Sequence, residues 1–410
     1  MRIVFLSHTA MGGDFVVGSH HLATAFAARG HEVLHVSAPV TPAHVLGLRD
    51  GFMRRRFGRF LRGGEIHHGV RDVVPLALMP WALARKSQTL MYAHSRWMLA
   101  APLRGVRSLQ LAQADQLIVD EPRMLGAALT QPLRATLAYR ATDLYAAMRG
   151  DNRITDAERI LCRRAEVLVA TSEQIAAHQH EISGRQVHVI GNGVAYARFA
   201  TPQTLAGHLG ALPGQRASRA IYVGAFDARF CAESKRAAAQ ALPTHTFVLA
   251  GPGGERIAAA LSMPNIHATG AVPYESLPGL LQACAVGLLP FSANDANAGR
   301  SPMKLFEYAA AGLAVAASCS FRPGGVMPSL SIAASPADFA HAVGTAFDLA
   351  SDATQVARGR EVSRAEDWNA KAAQLMRLLQ QARAESALQH PDEVRGPVDE
   401  PLLPVRNSWN

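Results

Sequence analysis

Short apolar runs alternate with longer amphipathic stretches along this chain, and the alternation occurs twice. Arg2–Leu6 reads as a buried strand, followed by a glycine-containing loop and a helix near Gly18–Arg29. Gly30-His31 ends that helix and Glu32–Val36 reads as the next strand, with later strands at Gln116–Val119, Thr136–Tyr139, Val167–Ala170 and Val187–Ile190. A second series opens at Ala220–Val223. It continues through Thr246–Ala250, Ile266–Ala268, Val286–Leu289 and Ala314–Ala317, with helical stretches between. Such alternation argues for parallel sheets, because parallel neighbours need a crossover and a helix supplies it. Two series predict an α/β chain of two doubly wound domains. The Thr-, Pro-, Gly- and Ala-rich stretch Ala200–Arg219 marks the boundary. The expected division is residues 1–200, residues 201–364, a closing helix at 365–387 and a proline- and charge-rich tail at 388–410, expected to be disordered.

Composition narrows the class. The 410 residues are 49% apolar and 18% charged, enough for a substantial core. No apolar run approaches the roughly 18–20 residues of a spanning helix. The opening RIVFLSH is too soon interrupted to be a secretory signal. Cys162, Cys231, Cys284 and Cys319 are far apart and form no CxxC pair. Neither a disulfide framework nor a structural zinc site is expected, and a reducing compartment is the default.

The charge is unevenly placed. Residues 43–110 hold twelve Lys/Arg against three acids, which is the whole +9 excess of the chain. Its densest part interleaves Arg54, Arg55, Arg56 and Arg59 with Phe57 and Phe60. Arginines mixed with bulky apolar residues suit an anionic membrane surface, at about 1 kcal/mol per cation. A solvated basic loop is the plainer reading. No recognised module accompanies the charge, so nucleic acid is not an expected partner.

Three stretches carry candidate chemistry. Ser7-His8-Thr9-Ala10-Met11-Gly12-Gly13 lies between the first strand and first helix, where Gly12 and Gly13 let a ligand approach the backbone or simply form a tight turn. No G-x-G-x-x-G is present, and Ser37-Ala38-Pro39 rather than an acid follows the second strand, which argues against a nicotinamide enzyme. Tyr139-Arg140-Ala141-Thr142-Asp143 ends a strand; Asp143 there is a general base or the cap of the next helix. Gly299-Arg300-Ser301-Pro302-Met303-Lys304-Leu305-Phe306-Glu307 opens a helix, with Ser301 as N-cap and Pro302 at the first position. The helix start and Lys304 would stabilise a diphosphate, and Glu307 would accept ribose hydroxyls. Lys304 and Glu307 equally make a surface ion pair. Phe291, after a strand, offers a ring to a base.

At these residues the chain resembles a glycosyltransferase of the GT-B type, two Rossmann-like domains facing across a cleft. The pattern SPMKLFEYxAAG resembles the nucleotide-sugar helix of that superfamily, and Ile190-Gly191-Asn192-Gly193-Val194 its interdomain element, with Ala195 in place of the usual acid. The resemblance spans residues 1 to 385. The large retaining branch has a glutamate where Gly299 stands, a histidine where Thr142 stands, and a phosphate clamp that residues 224–229 do not match. Together YRATD, FDARF and SPMKL are similar to the inverting glucuronosyltransferases of xanthan-type exopolysaccharide assembly.

That resemblance implies a UDP-sugar donor and a polyprenyl-diphosphate-linked saccharide acceptor. It implies a peripheral place on the inner face of the cell membrane. It implies no cofactor and no metal. Asp143 would be the base and Phe291 the aromatic beside uracil, with the Gly224 segment near the base. Met303 and Lys304 would contact the diphosphate. Glu307 takes its ribose role from the wider superfamily. A retaining hexosyltransferase, a UDP-sugar 2-epimerase and an inactive scaffold are the alternatives.

Overall fold

The computed structural model describes residues 1–13, 15–96, 98–99, 111–129, 135–227, 229–293, 297 and 299–389. Strands form where apolar β-formers run together: β1 (Arg2–Leu6) is closed to solvent from Ile3 onward, and β2 (Glu32–Val36) from Val33. A hairpin of β3 (Glu65–His67) and β4 (Val70–Val73) follows, then the small pair β5 (Leu76–Ala77) and β6 (Met98–Leu99). β7 (Gln116–Val119), β8 (Thr136–Ala141), β9 (Val167–Ala170) and β10 (His188–Val189) complete the first sheet. Its order is β10-β9-β8-β7-β1-β2-β4-β3, parallel except at the β3 edge.

The second sheet contains β11 (Arg219–Val223), β12 (Thr246–Ala250), β13 (Ile266–Gly270), β14 (Val286–Leu289), β15 (Ala314–Ala317) and β16 (Leu330–Ile332). It is parallel throughout, in the order β13-β12-β11-β14-β15-β16. Each sheet carries a core on both faces, as parallel sheets require.

Strand order locates the crevices. In the first sheet the chain runs outward from β1 to β2, and in the opposite direction from β7 to β10. In the second it runs one way from β11 and the other from β14. Ligands of open α/β sheets lie at such reversals, beyond the carboxyl ends of the strands. The reversals place His8 and Asp120 at one crevice, and Gly224 and Phe291 at the other.

Two expectations need correction. The closing helix expected at 365–387 starts three residues later, at Trp368, and runs to Gln389; Glu366 and Asp367 separate it from the helix Ala353–Ala365. Asp367 breaks the run because its carboxylate accepts from Tyr196 N (3.0 Å) and Asn369 N (2.8 Å) while its backbone bridges Val194. The last helix returns to the first domain, where Trp368, Leu375 and Leu379 pack with Leu22 and Phe26. Leu388 and Gln389, expected in the tail, belong to it; the rest of the expected tail lies outside the described residues.

The basic segment is also reordered. Residues Gly51–Arg62 form a helix that Asp50 caps, through Phe52 N at 2.6 Å, and that Gly63 ends. Phe60 is not membrane-facing: it is 5% exposed, packed with Val40 and Val74. Arg59 is not free either, since it faces Asp72 at 3.3 Å and Glu65 at 3.2 Å. Arg56 is bonded to the Ala38 carbonyl, and Phe57 packs beside Phe60. Phe52, Arg54, Arg55, Leu61 and Arg62 form the exposed face.

Candidate active site

On the first domain, the loop after β1 is held from the side. Arg59 donates to the Met11 carbonyl and, at 3.3 Å, to that of Gly12. Gly12 has φ +62, where a larger residue is strained, and a Cβ there would stand 2.6 Å from His67 Cε1 and push that ring aside. Gly13 is exposed. Arg59 in turn rests on a buried chain: Asp72 accepts from His35 at 2.7 Å, and His35 meets Ser19 at 3.1 Å.

Asp143 follows β8 and is half-buried. Its Oδ2 accepts from Thr142 Oγ1 at 3.3 Å. Leu144, not Asp143, is the N-cap of the helix Tyr145–Arg149, so the carboxylate is not spent on capping. Tyr145 donates to the Asp120 carbonyl and lies 2.8 Å from Thr142 Oγ1. This packing fixes the loop that carries the carboxylate. Beside it lies His8, whose pKa burial pushes down while Glu121 and Asp143 oppose the shift. Burial favours the neutral acid at Glu121, but Arg123 and Arg149, both at 2.8 Å, hold its carboxyl far below the usual range.

The second domain presents cations. Its helix covers Met303–Ala310, with Pro302 as N-cap and no side chain capping the start. Ser301 is therefore not the expected cap. Pro302 is extended (φ −74, ψ 120), so the helix starts two residues beyond Ser301. The Ser301 hydroxyl instead accepts from Asn192 N at 3.0 Å. Lys304 Nζ lies 2.7 Å from Glu307 Oε2, which makes the ion pair a real feature. Glu307 is 1% exposed, so its carboxylate is closed to solvent in this structure. Gly224 closes β11, its N–H donating to Ala250 at 3.0 Å. Phe291 is half-buried, and the Arg300 guanidinium stands 5.4 Å over its ring.

Two cations escaped the sequence reading. Arg229 grips Asp227 through Nε at 2.9 Å to Oδ1 and 3.1 Å to Oδ2, which raises its pKa. Arg300 is lowered by burial and raised by the Asp143 carboxylate, which also raises Arg229. Asp143, from the first sheet, is thus close enough to act on both arginines of the second. They lie 71 positions apart in sequence, and only sheet order brings them together. The one clue was adjacency: Arg300 directly precedes Ser301, and Arg229 follows the Gly224 segment. One side of the cleft can accept a proton; the other can stabilise a polyanion. Among the described residues no group of three His, Cys, Asp or Glu is placed to hold a metal ion.

No family model matches the chain. It is 26% identical over 242 residues to TuaH of Bacillus subtilis (strain 168), named as a teichuronic acid biosynthesis glycosyltransferase. The match covers 55% of this chain and 59% of that protein, so this chain spans less than two thirds of the relative's length. Among solved structures it resembles the sucrose-phosphate synthase of Thermosynechococcus elongatus (TM-score 0.69, 18% identity, 94% of this chain and 100% of that one). It also resembles Anabaena Alr3699/HepE in complex with UDP-glucose (TM-score 0.58, 16% identity, 95% and 100%). These likenesses show the fold: two Rossmann-like domains about a cleft, the GT-B architecture.

Proposed function

We propose that this chain is a glycosyltransferase that moves a sugar from a UDP-sugar to a polyprenyl-diphosphate-linked saccharide, with inversion, in cell-surface polysaccharide synthesis. The observation that carries the reading is the contact between the two domains. There Asn192, from the domain that carries Asp143, bonds Ser301 just before the helix Met303–Ala310, and Arg300 stands over Phe291. The Asp143 charge acts to raise the pKa of both Arg229 and Arg300. The name of TuaH and the UDP-glucose in the HepE structure support a nucleotide-sugar donor. Glucuronate is the sugar that the sequence resemblance suggests.

In this mechanism Asp143 takes the proton of an acceptor hydroxyl. The oxygen attacks the anomeric carbon, and the bond to UDP breaks with its electron pair passing to the β-phosphate oxygen. Negative charge grows there, and Arg229, Arg300, Lys304 and the start of the helix Met303–Ala310 would stabilise it. Prearranged donors of this kind lower a barrier without reorganising. The donor sugar lies between the domains, and the acceptor approaches by the Gly12-Gly13 loop. No cofactor enters the reaction.

The exposed face of the helix Gly51–Arg62 would hold the first domain against anionic lipid on the inner face of the membrane, where such an acceptor resides. Among the described residues no helix is long and apolar enough to cross a membrane.

Calorimetry with UDP, ADP and GDP tests the donor assignment: UDP binds and the purine nucleotides bind at least tenfold more weakly. No binding of UDP would overturn it. With an α-linked UDP-sugar, NMR of the product should show a β-linkage; an α-linkage would make the enzyme retaining.

A further inference from the structure

The strand that leads to Asp143 and the residue two positions before the donor helix are joined by a chain of hydrogen bonds. Arg140 lies on β8, three residues before Asp143, with its side chain 1% exposed. Its Nη1 bonds Asp120 Oδ2 at 2.8 Å, and its Nη2 donates to Asn192 Oδ1 at 3.1 Å. Asn192 then crosses to the second domain. Its Nδ2 donates to the Ser301 carbonyl at 2.8 Å, and its backbone N–H donates to Ser301 Oγ at 3.0 Å. Ser301 stands two residues before the helix Met303–Ala310. One strand therefore carries Asp143 at its end and, through Arg140, the grip on the donor helix.

We infer that Arg140, Asn192 and Ser301 are positioning residues that set the distance between the Asp143 carboxylate and the departing diphosphate. The inference rests on the functional reading above.

Two features favour geometry over stability as the reason for this chain. First, Asp120 and Arg140 are both buried at 1% exposure. Asp120 Oδ1 and Arg140 Nε have no hydrogen-bond partner among the described residues. Buried ion pairs with unmet polar atoms add little to stability, and an apolar pair would serve a core as well or better. Second, room has been left for the relay. A Cβ on Gly18 would stand 2.8 Å from Asn192 Oδ1 and 2.9 Å from Arg140 Nη2. The amide is also specific. Facing a guanidinium on one side and a carbonyl on the other, it must accept at Oδ1 and donate at Nδ2. Aspartate would keep the first bond and lose the second.

The test uses the full chain and four variants: Asn192→Ala, Asn192→Asp, Ser301→Ala and Ser301→Thr. UDP release is followed with whichever of UDP-glucose, UDP-galactose, UDP-glucuronate and UDP-N-acetylglucosamine the wild type turns over. A shift of about 1 Å in reacting groups costs on the order of 100-fold, so both Asn192 variants should lose about 10- to 100-fold in kcat. Their KM for donor and Kd for UDP should stay within about threefold of wild type. Ser301→Thr keeps the hydroxyl and should retain wild-type kcat, while Ser301→Ala should not. Unchanged kcat in Asn192→Asp, or a loss mirrored by the same loss of UDP affinity, overturns the inference. Small-angle X-ray scattering gives a readout independent of turnover: Asn192→Ala should broaden the distance distribution between the domains. A distribution identical to wild type overturns the relay as well. A wild type that releases UDP from no donor sinks the functional reading instead, and scattering alone then decides the relay.

Discussion

Lys304 Nζ stands 2.7 Å from Glu307 Oε2, and the carboxylate beneath it is 1% exposed. The lysine thus has two tasks in the proposed mechanism, covering a buried charge and meeting a diphosphate. Lys304→Met should weaken UDP binding and also lower stability by about 1–3 kcal/mol, because a buried acceptor loses its donor. Calorimetry and thermal unfolding measure the two effects separately. UDP affinity equal to wild type would move the diphosphate away from this lysine.

His21 stacks on Trp368 at 5.0 Å and 8°, and also neighbours Tyr274. Burial, then the charges of Lys304 and Arg198, push its pKa down to about 3. The folded state refuses a proton that the unfolded chain takes up near pH 6.5, so stability should fall as pH drops from about 6.5 toward 3, by up to about 1.4 kcal/mol per pH unit. His8 and His20 are shifted in the same direction, chiefly by burial, and add to the slope. Urea unfolding at pH 7, 5.5 and 4.5 should show His21→Phe less acid-sensitive than wild type. Parallel curves would contradict this.

Lys235 is fully buried, 4.7 Å over the Phe247 ring, and Nζ has no hydrogen-bond partner among the described residues. Burial drives its pKa far down. The unfolded chain holds this proton more tightly than the folded state does, so the group costs stability at pH 7 and the cost fades as pH rises toward about 10.4. Lys235→Met should stabilise the chain by about 1–3 kcal/mol at pH 7, with a smaller gain at pH 9.5. Destabilisation at pH 7 would mean that an uncounted partner holds the amine.

Arg54 and Arg55 are exposed on the helix Gly51–Arg62 beside Phe52 and Leu61. Removing both by alanine substitution should weaken sedimentation with vesicles containing phosphatidylglycerol roughly 30-fold, at about 1 kcal/mol per cation. Binding to neutral phosphatidylcholine vesicles should stay weak in both proteins. Equal binding of wild type to the two lipids would remove the electrostatic role.

Eleven of the strands were legible from apolar runs between turn residues. β3 to β6 and β16 were not, because they are only two to four residues long and some, such as Glu65–His67, are polar and partly exposed. The helix Met303–Ala310 was legible for a similar local reason. Its cap was not, because the extended Pro302 and the pull of Asn192 on Ser301 depend on another domain. The helix Gly51–Arg62 shows the same limit. Its arginines and phenylalanines occur on both faces, and nothing local says that Asp72 and the Gly12 carbonyl wait opposite Arg59 while Phe52 faces outward. Arg229 and Arg300 come near each other because β11 and β14 are neighbours in the sheet, which spacing along the chain does not encode.

The most direct test of the central claim compares Asp143→Asn with wild type, measuring UDP release from a UDP-sugar and UDP affinity in parallel. The amide is nearly isosteric and cannot take the acceptor proton, so turnover should fall by about 100-fold or more while UDP binds as before. Turnover at the wild-type rate would contradict the account.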